Sequence, residues 1–174
     1  MSLSVVFLDE GPLSWVTQKP GETPDFDACQ AWVIGLMTQG VLVCVAEVTD
    51  YELRRELTRQ ELRRESLGQQ KRGSVARLDA FVALPGRYVP ISTNAMRQAA
   101  DMWAQIRNAG QPTASDKALD GDVILAAQVS IFAATQGIPL SEIIVATTNV
   151  KHIERFVQAD LWGNIQPELR SFSP

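Results

Sequence analysis

Four carboxylate or amide side chains follow the apolar stretches of this 174-residue chain closely enough to share one chemical task. Asp9 comes directly after the run Ser4–Leu8, Glu52 shortly after Val41–Val48, and Asn149 just after Ile143–Ala146. Asp122 opens an apolar helical pattern, with Asp120 and Asp116 upstream of it, and Glu10 adjoins Asp9. Acids from such distant stretches can meet only if the apolar runs are parallel strands, because ligands of an open parallel sheet bind outside the strands' carboxyl ends. Carboxylates crowded together repel, and at least one pKa rises unless a cation neutralises them. Oxygen-only donors of this kind suit Mg²⁺ or Mn²⁺. Such a cation lowers the pKa of a bound water and offsets charge on a phosphoryl group under in-line attack. Each residue also has a plainer use: Glu52 and Asp122 complement helix N-terminal dipoles, Asp9 caps a turn, and Asn149 adopts a left-handed conformation.

Other chemistries are poorly provided for. His152 is the single histidine, so HExxH and sites built on several imidazoles are excluded, and no GxSxG precedes it. It is expected to be a surface or hydrogen-bonded structural histidine. The eleven glycines form neither GxG nor GxxxxGK[ST], which removes the dinucleotide and Walker phosphate loops. Cys29 and Cys44 lie in apolar stretches without a CxxC and read as buried reduced thiols. No basic leader opens the chain and no apolar run approaches the roughly 20 residues of a membrane span, so a cytoplasmic protein is expected.

The elements that must position the acids alternate along the chain. Ser4–Leu8 and Val41–Val48 read as buried strands, Tyr88–Ile91 as a short third, and Ile143–Ala146 as a fourth. Between them fall helical patterns over Leu13–Thr17, from Pro24 to before Gly40, over Tyr51–Leu67 with Asp50 as its N-cap, and through Leu84 with Ser74 as its cap. Two more run from Ser92-Thr93 to before Gly110 and from Asp120-Gly121-Asp122 to Gly137, with a polar loop Gln111–Leu119 between them. The tail, with Phe156, Leu161, Trp162 and Ile165, is expected to pack on the sheet's edge as a helix or short strand. Strands apolar on both faces, alternating with helices, imply an α/β fold with a central parallel sheet of four to five strands and helices on each side. The composition, 45% hydrophobic and 21% charged, is globular rather than disordered, and the length suits a single domain over 1–174.

Four segments in register resemble those of PIN-domain proteins. Val5-Val6-Phe7-Leu8-Asp9 with Gly11-Pro12-Leu13 resembles their opening strand and first Asp, and Asp50-Tyr51-Glu52-Leu53-Arg54 resembles their ELR motif. Leu119-Asp120-Gly121-Asp122-Val123-Ile124-Leu125-Ala126-Ala127 is similar to their third-acid helix start, and Ala146-Thr147-Thr148-Asn149 to the T-x-N segment that supplies a fourth polar residue. The matches span about Val5 to Phe156, and VapC-type toxins of toxin–antitoxin pairs are the relatives they look most like. The resemblance implies a three-layer α/β/α sandwich and a Mg²⁺- or Mn²⁺-dependent ribonuclease. Asp9, Glu52 and Asp122 would be the metal-site acids, Asn149 an auxiliary ligand, and Thr147 a hydrogen-bond partner of the site. An antitoxin and a homodimer are the partners it implies. Glu10 departs from the family, many of whose members carry a hydroxyl residue after the first Asp.

A net charge of −4 leaves RNA only a local basic patch. Eight of the 16 basic residues lie between Arg54 and Arg77, against five acids from Asp50 to Glu65. Arg54 and Arg55, beside Glu52, are the expected phosphate contacts; the more distal arginines read as a solvated helix with i,i+3 and i,i+4 Glu–Arg pairs. Trp15, Trp32, Trp103 and Trp162 are expected in the core or at an interface. The rival expectation is a catalytically silent module of the same fold, with Glu10 its main support.

Overall fold

The computed structural model describes residues 3–110 and 120–166. Asp116 and the loop Gln111–Leu119 therefore lie outside the described residues.

Five strands, β1 (Val5–Leu8), β2 (Leu42–Ala46), β3 (Tyr88–Val89), β4 (Ile143–Thr147) and β5 (Ala159–Leu161), form one sheet in the order β3-β2-β1-β4-β5. Every pairing is parallel, with Val6 opposite both Val43 and Ile144. Such pairings need crossovers, which the helices supply. Helices α1 (Glu10–Val16) and α2 (Pro24–Thr38) link β1 to β2, and α3 (Glu47–Ser66) and α4 (Ser74–Val82) link β2 to β3. Helices α5 (Thr93–Asn108) and α6 (Gly121–Gln136) lie between β3 and β4, and the single turn α7 (Val150–Ile153) between β4 and β5.

Strand alternation divides the core into two layers. Val5, Phe7, Cys44, Ala46, Ile143 and Val145 pack on one face with Ala99 of α5 and Val123, Ala127 and Val129 of α6. Val6, Leu8, Val43, Val45 and Ala146 pack on the other with Leu13 of α1, Val33 and Leu36 of α2, Leu53 and Leu57 of α3, and Leu78 of α4. The three-layer α/β/α architecture is the one expected. The tail supplies the fifth strand at the sheet's edge. Both cysteines are free and buried, and burial pushes each thiol up to about 12, so they are inert apolar fillers. Among the described residues no helix is long and apolar enough to cross a membrane.

Several boundaries differ from the expected ones. Helix α1 starts at Glu10, not Leu13, because the Asp9 carboxylate accepts the Glu10 N–H and begins the helix as soon as the strand ends. Strand β2 stops at Ala46 and α3 starts at Glu47, so Asp50 is not its cap but a buried residue of its first turn, and Glu52 falls in the second turn. The cap comes from far away: Gln128 of α6 accepts the Val48 N–H through Oε1 at 3.1 Å and donates Nε2 to the Val89 carbonyl at 2.9 Å. Ser74 is likewise inside α4 rather than capping it, since Glu61 of α3 accepts the Ser74 N–H at 2.9 Å. That helix ends at Val82 rather than Leu84, and β3 at Val89 rather than Ile91, whose N–H goes to the Glu47 carboxylate. Ser92 and Asp120, where the sequence opens α5 and α6, are the N-caps of those helices, and Gly137 ends α6 at φ +66°.

Candidate functional site

The strand order reverses at β1: the chain steps outward from it to β2 and β3, then returns past it to β4 and β5 on its other side. A crevice opens at such a switch point, at the carboxyl ends of the strands. Here it is a cavity of about 420 Å³ lined by Asp9, Glu10, Glu52, Asp122 and Asn149, together with Ser14, Trp15, Thr148 and His152.

Asp9 leaves β1 with both carboxylate oxygens engaged. Oδ1 accepts the Glu10 N–H at 2.7 Å, and Oδ2 accepts the Thr147 hydroxyl at 2.6 Å. Thr147 ends β4, is fully buried, and its Oγ1 in turn accepts the Asn149 N–H at 3.0 Å. One hydroxyl thus ties the ends of the two central strands together and orients Asp9. The plainer use of Asp9, capping the next helix through Oδ1, goes together with its place in the cavity lining.

Glu52 reaches the cavity from α3, on the same side of the helix as Arg55, whose Nη2 is 4.0 Å from Oε1. Its carboxylate lies against Gly121 so closely that a Cβ there would collide with it. A glycine between Asp120 and Asp122 therefore leaves the Glu52 carboxylate the place it takes, which a Cβ would make it shift from. Gly11 has the corresponding relation to Thr148, whose side chain would lie 2.6 Å from an added Cβ. Asp122, in the first turn of α6, places Oδ2 at 3.2 Å from Nδ1 of His152 on α7.

The electrostatics are those of an acid cluster that Arg55 and His152 compensate only in part. Burial pushes Glu52 up to about 7, helped by Glu10, Asp122 and Asp9 and opposed by Arg55. Burial also raises Asp122, with Asp9 and Asp120 adding to the rise and His152 opposing it. Glu10 is raised by partial burial and then by Asp9, with Arg55 opposing. Glu10, Glu52 and Asp122 are all raised, and the cavity disfavours their joint ionisation.

Asp9, Glu52, Asp122, Asn149 and Glu10 are thus brought together, with Thr147 behind them. Asp120 is held back: it is buried as the cap of α6, accepts the Val123 N–H at 3.3 Å, and acts on the site through its charge. Arg55 is at the cavity's edge, 5.7 Å from the Tyr51 ring centroid. Arg54 is not at the site; it is locked between Asp50, at 2.9 Å, and Asp79, at 2.7 Å, joining α3 to α4. Among the described residues no group of three or more His, Cys, Asp or Glu side chains is arranged to hold a metal ion as the side chains stand. The acids share a cavity rather than a finished coordination shell.

Sequence reasoning missed His152, Trp15, Ser14, Thr148 and the two glycines. His152 carried a usable signal, being one helical turn beyond Asn149. Trp15 did not: it rests on Phe26 and Trp162, with Trp162 also touching Trp32, so its place in an aromatic cluster hid its contact with the cavity.

Neither a protein-family model nor a curated protein matches the chain. Solved structures do. The chain is similar to the crystal structure of VapBC2 from Rickettsia felis bound to a DNA fragment from their promoter, with a TM-score of 0.60 at 11% identity, covering 91% of this chain and 98% of that one. It is similar also to VapBC-1 from nontypeable Haemophilus influenzae, with a TM-score of 0.57 at 13% identity and the same coverage. The fold is PIN-like.

Proposed function

We propose that this PIN-like chain is an endoribonuclease that hydrolyses RNA phosphodiester bonds with the help of Mg²⁺ or Mn²⁺. The observation that carries the reading is the meeting of Asp9, Glu52 and Asp122 at the switch point of the sheet, in a cavity that raises two of the three carboxyl pKa values. An all-oxygen donor set under mutual repulsion suits a hard divalent cation. Asp9, Glu52 and Asp122 would hold it, with Asn149 as a further oxygen donor; a cation bound there would acidify water and offset charge on the scissile phosphate.

The chain's own residues divide the remaining work. Thr147 fixes the rotamer of Asp9, His152 steadies Asp122, and Gly121 gives Glu52 its room. Arg55 presents a guanidinium at the cavity's edge for an RNA phosphate. The expected assay result is RNA cleavage that requires Mg²⁺ or Mn²⁺, stops with chelator, and is lost in Asp9→Asn and in Asp122→Asn. Undiminished cleavage by both variants rejects the site.

Glu10 in the cavity and the unfinished coordination shell favour a second reading, a silent module of the same fold that binds RNA or protein. Calorimetric titration with Mn²⁺ separates the two, because a silent module binds it weakly or not at all. The likeness to VapBC structures supports a role as the toxin of a toxin–antitoxin pair with an antitoxin as partner; a homodimer and a cytoplasmic location are part of the same proposal. Co-expression with the product of the adjoining reading frame tests this: a genuine antitoxin copurifies with the chain and suppresses its nuclease activity.

A further inference from the structure

A second cavity, of about 440 Å³, opens between α2 and α4 and shares no lining residue with the acid cavity. Its apolar walls include Ile34 and Met37 of α2, Phe81 of α4, and Leu84 just beyond it; its two cations are Arg77 and Arg87. Arg87 is only 3% exposed. It is carried inward because it immediately precedes β3, where its carbonyl accepts the Val45 N–H at 2.8 Å. Its guanidinium carbon stands 3.9 Å over the Phe81 ring centroid, and Nη2 donates to the Met37 sulfur at 2.9 Å. Nη1 is buried with no hydrogen-bond partner, and among the described residues no carboxylate pairs with Arg87. Arg77 spends its nitrogens on neutral acceptors, the carbonyls of Thr17 and Arg72 and the Ser74 hydroxyl.

A buried guanidinium without a counter-anion is costly, and ring and thioether contacts recover only part of its lost hydration. Its planar fork matches a carboxylate. A mostly apolar cleft of this volume with a few fixed polar groups is the usual build of a small-molecule site. Ile34, at 63% exposure, and the partly exposed Met37 and Leu84 leave apolar surface open at the rim. The Arg77 donors are already engaged, so one unsatisfied guanidinium nitrogen, Nη1 of Arg87, is left for a ligand, and one carboxylate is enough to meet it.

We propose that this cleft binds a small amphipathic monocarboxylate, its carboxylate on Nη1 of Arg87 and its apolar body over Ile34, Met37, Phe81 and Leu84. Met37 is unbranched and flexible, and turns aside as the carboxylate takes Nη1 and competes for Nη2. Nothing in this depends on the nuclease reading.

Octanoate is the probe, and octan-1-ol its uncharged counterpart. Calorimetric titration of the full chain is expected to show saturable octanoate binding and octanol at least about tenfold weaker, a difference of roughly 1.4 kcal/mol. Arg87→Met should remove that preference. Ile34→Glu, which sets a like charge at the exposed rim and leaves the core untouched, should weaken octanoate by on the order of tenfold; it carries the test if Arg87→Met does not fold. Equal binding of octanoate and octanol, or no saturable binding of octanoate, overturns the proposal. So does a dimer in light scattering that Ile34→Glu converts to monomer, since a second copy would then be what covers the cleft.

Discussion

Thr147 illustrates how much of the candidate site rests on one buried hydroxyl. It donates to Asp9 and accepts from the Asn149 N–H, so replacing it by Val preserves the β-branched shape of the strand while deleting both bonds. Hydrogen bonds of this supporting kind are worth on the order of 10–100-fold in metal affinity or activity. Thr147→Val is therefore expected to weaken Mn²⁺ binding by about that factor, measured by calorimetry, with its circular dichroism unchanged. Glu52 yields a pH prediction. Its folded pKa, about 7, lies above its ordinary value of 4.5, so the fold binds its proton more tightly than the unfolded chain does. That contribution to stability is complete below about pH 4.5 and is lost as pH rises through about 7. In chelator the melting temperature should fall between pH 5 and pH 8, and Glu52→Gln should flatten the slope, melting ~3–6 °C above the parent at pH 8. An unchanged slope in that variant would assign the pH response elsewhere. Asp9 was readable from the sequence because it directly follows an apolar run, Asp122 because it opens a helix, and Glu52 because it stands early in a helical pattern that follows one. Gly121 was not, since its need for a missing Cβ exists only once α3 and α6 are side by side.

At the scale of elements, the most instructive boundary is the start of α3. Asp50 has the residue type of a cap and stands before a helical pattern, yet the helix begins three residues earlier at Glu47. Local propensity was overridden by Gln128, which supplies the cap from 80 residues away. Gln128→Leu should cost about 2 kcal/mol in denaturant unfolding, because it leaves the Val48 N–H and the Val89 carbonyl without partners in the core. The same helix separates two neighbouring arginines. One residue is a 100° rotation in a helix, so Arg54 turns to Asp50 and Asp79 while Arg55 turns to Glu52. Arg54→Ala is expected to lower stability by about 1 kcal/mol with RNA affinity unchanged, and Arg55→Ala to weaken RNA binding with stability unchanged. The reverse result would place the phosphate contact on the other side of α3. Sequence alone could not assign the two, because it shows which face a residue occupies but not which neighbour covers that face.

For the whole molecule, charge and topology work against each other. Negative charge is concentrated in the acid cavity at the strands' carboxyl ends, while the basic residues concentrate on α3, α4 and the segment joining them. A phosphate approaching Arg55 must also approach Glu52, Glu10, Asp9 and Asp122, and is repelled until they are neutralised. RNA binding by the metal-free chain at pH 8 is accordingly expected to be weak and to tighten on the order of tenfold with Mn²⁺. The double variant Asp9→Asn, Asp122→Asn should bind equally with and without the ion, as fluorescence anisotropy would record. A parent affinity independent of Mn²⁺ would mean that RNA is held away from the cavity.

Short continuous apolar runs alternating with 3.6-fold helical patterns were enough to specify a parallel α/β sandwich, because a strand apolar on both faces must be covered by helices on each side. The same reading marked Asp9 and Asn149, since a polar residue just after a buried strand must emerge at the sheet's edge, and Glu52 and Asp122 from their places early in helical patterns. Strand order was beyond its reach, and with it the crevice at β1, for order depends on which crossover lies on which face. Also beyond it were the partners that bring a distant side chain within 3 Å, among them Thr147 on Asp9, and the carboxylate that Arg87 lacks. Hydrogen bonding and desolvation act through space over a few ångströms, and only packing of the chain decides what lies within that distance.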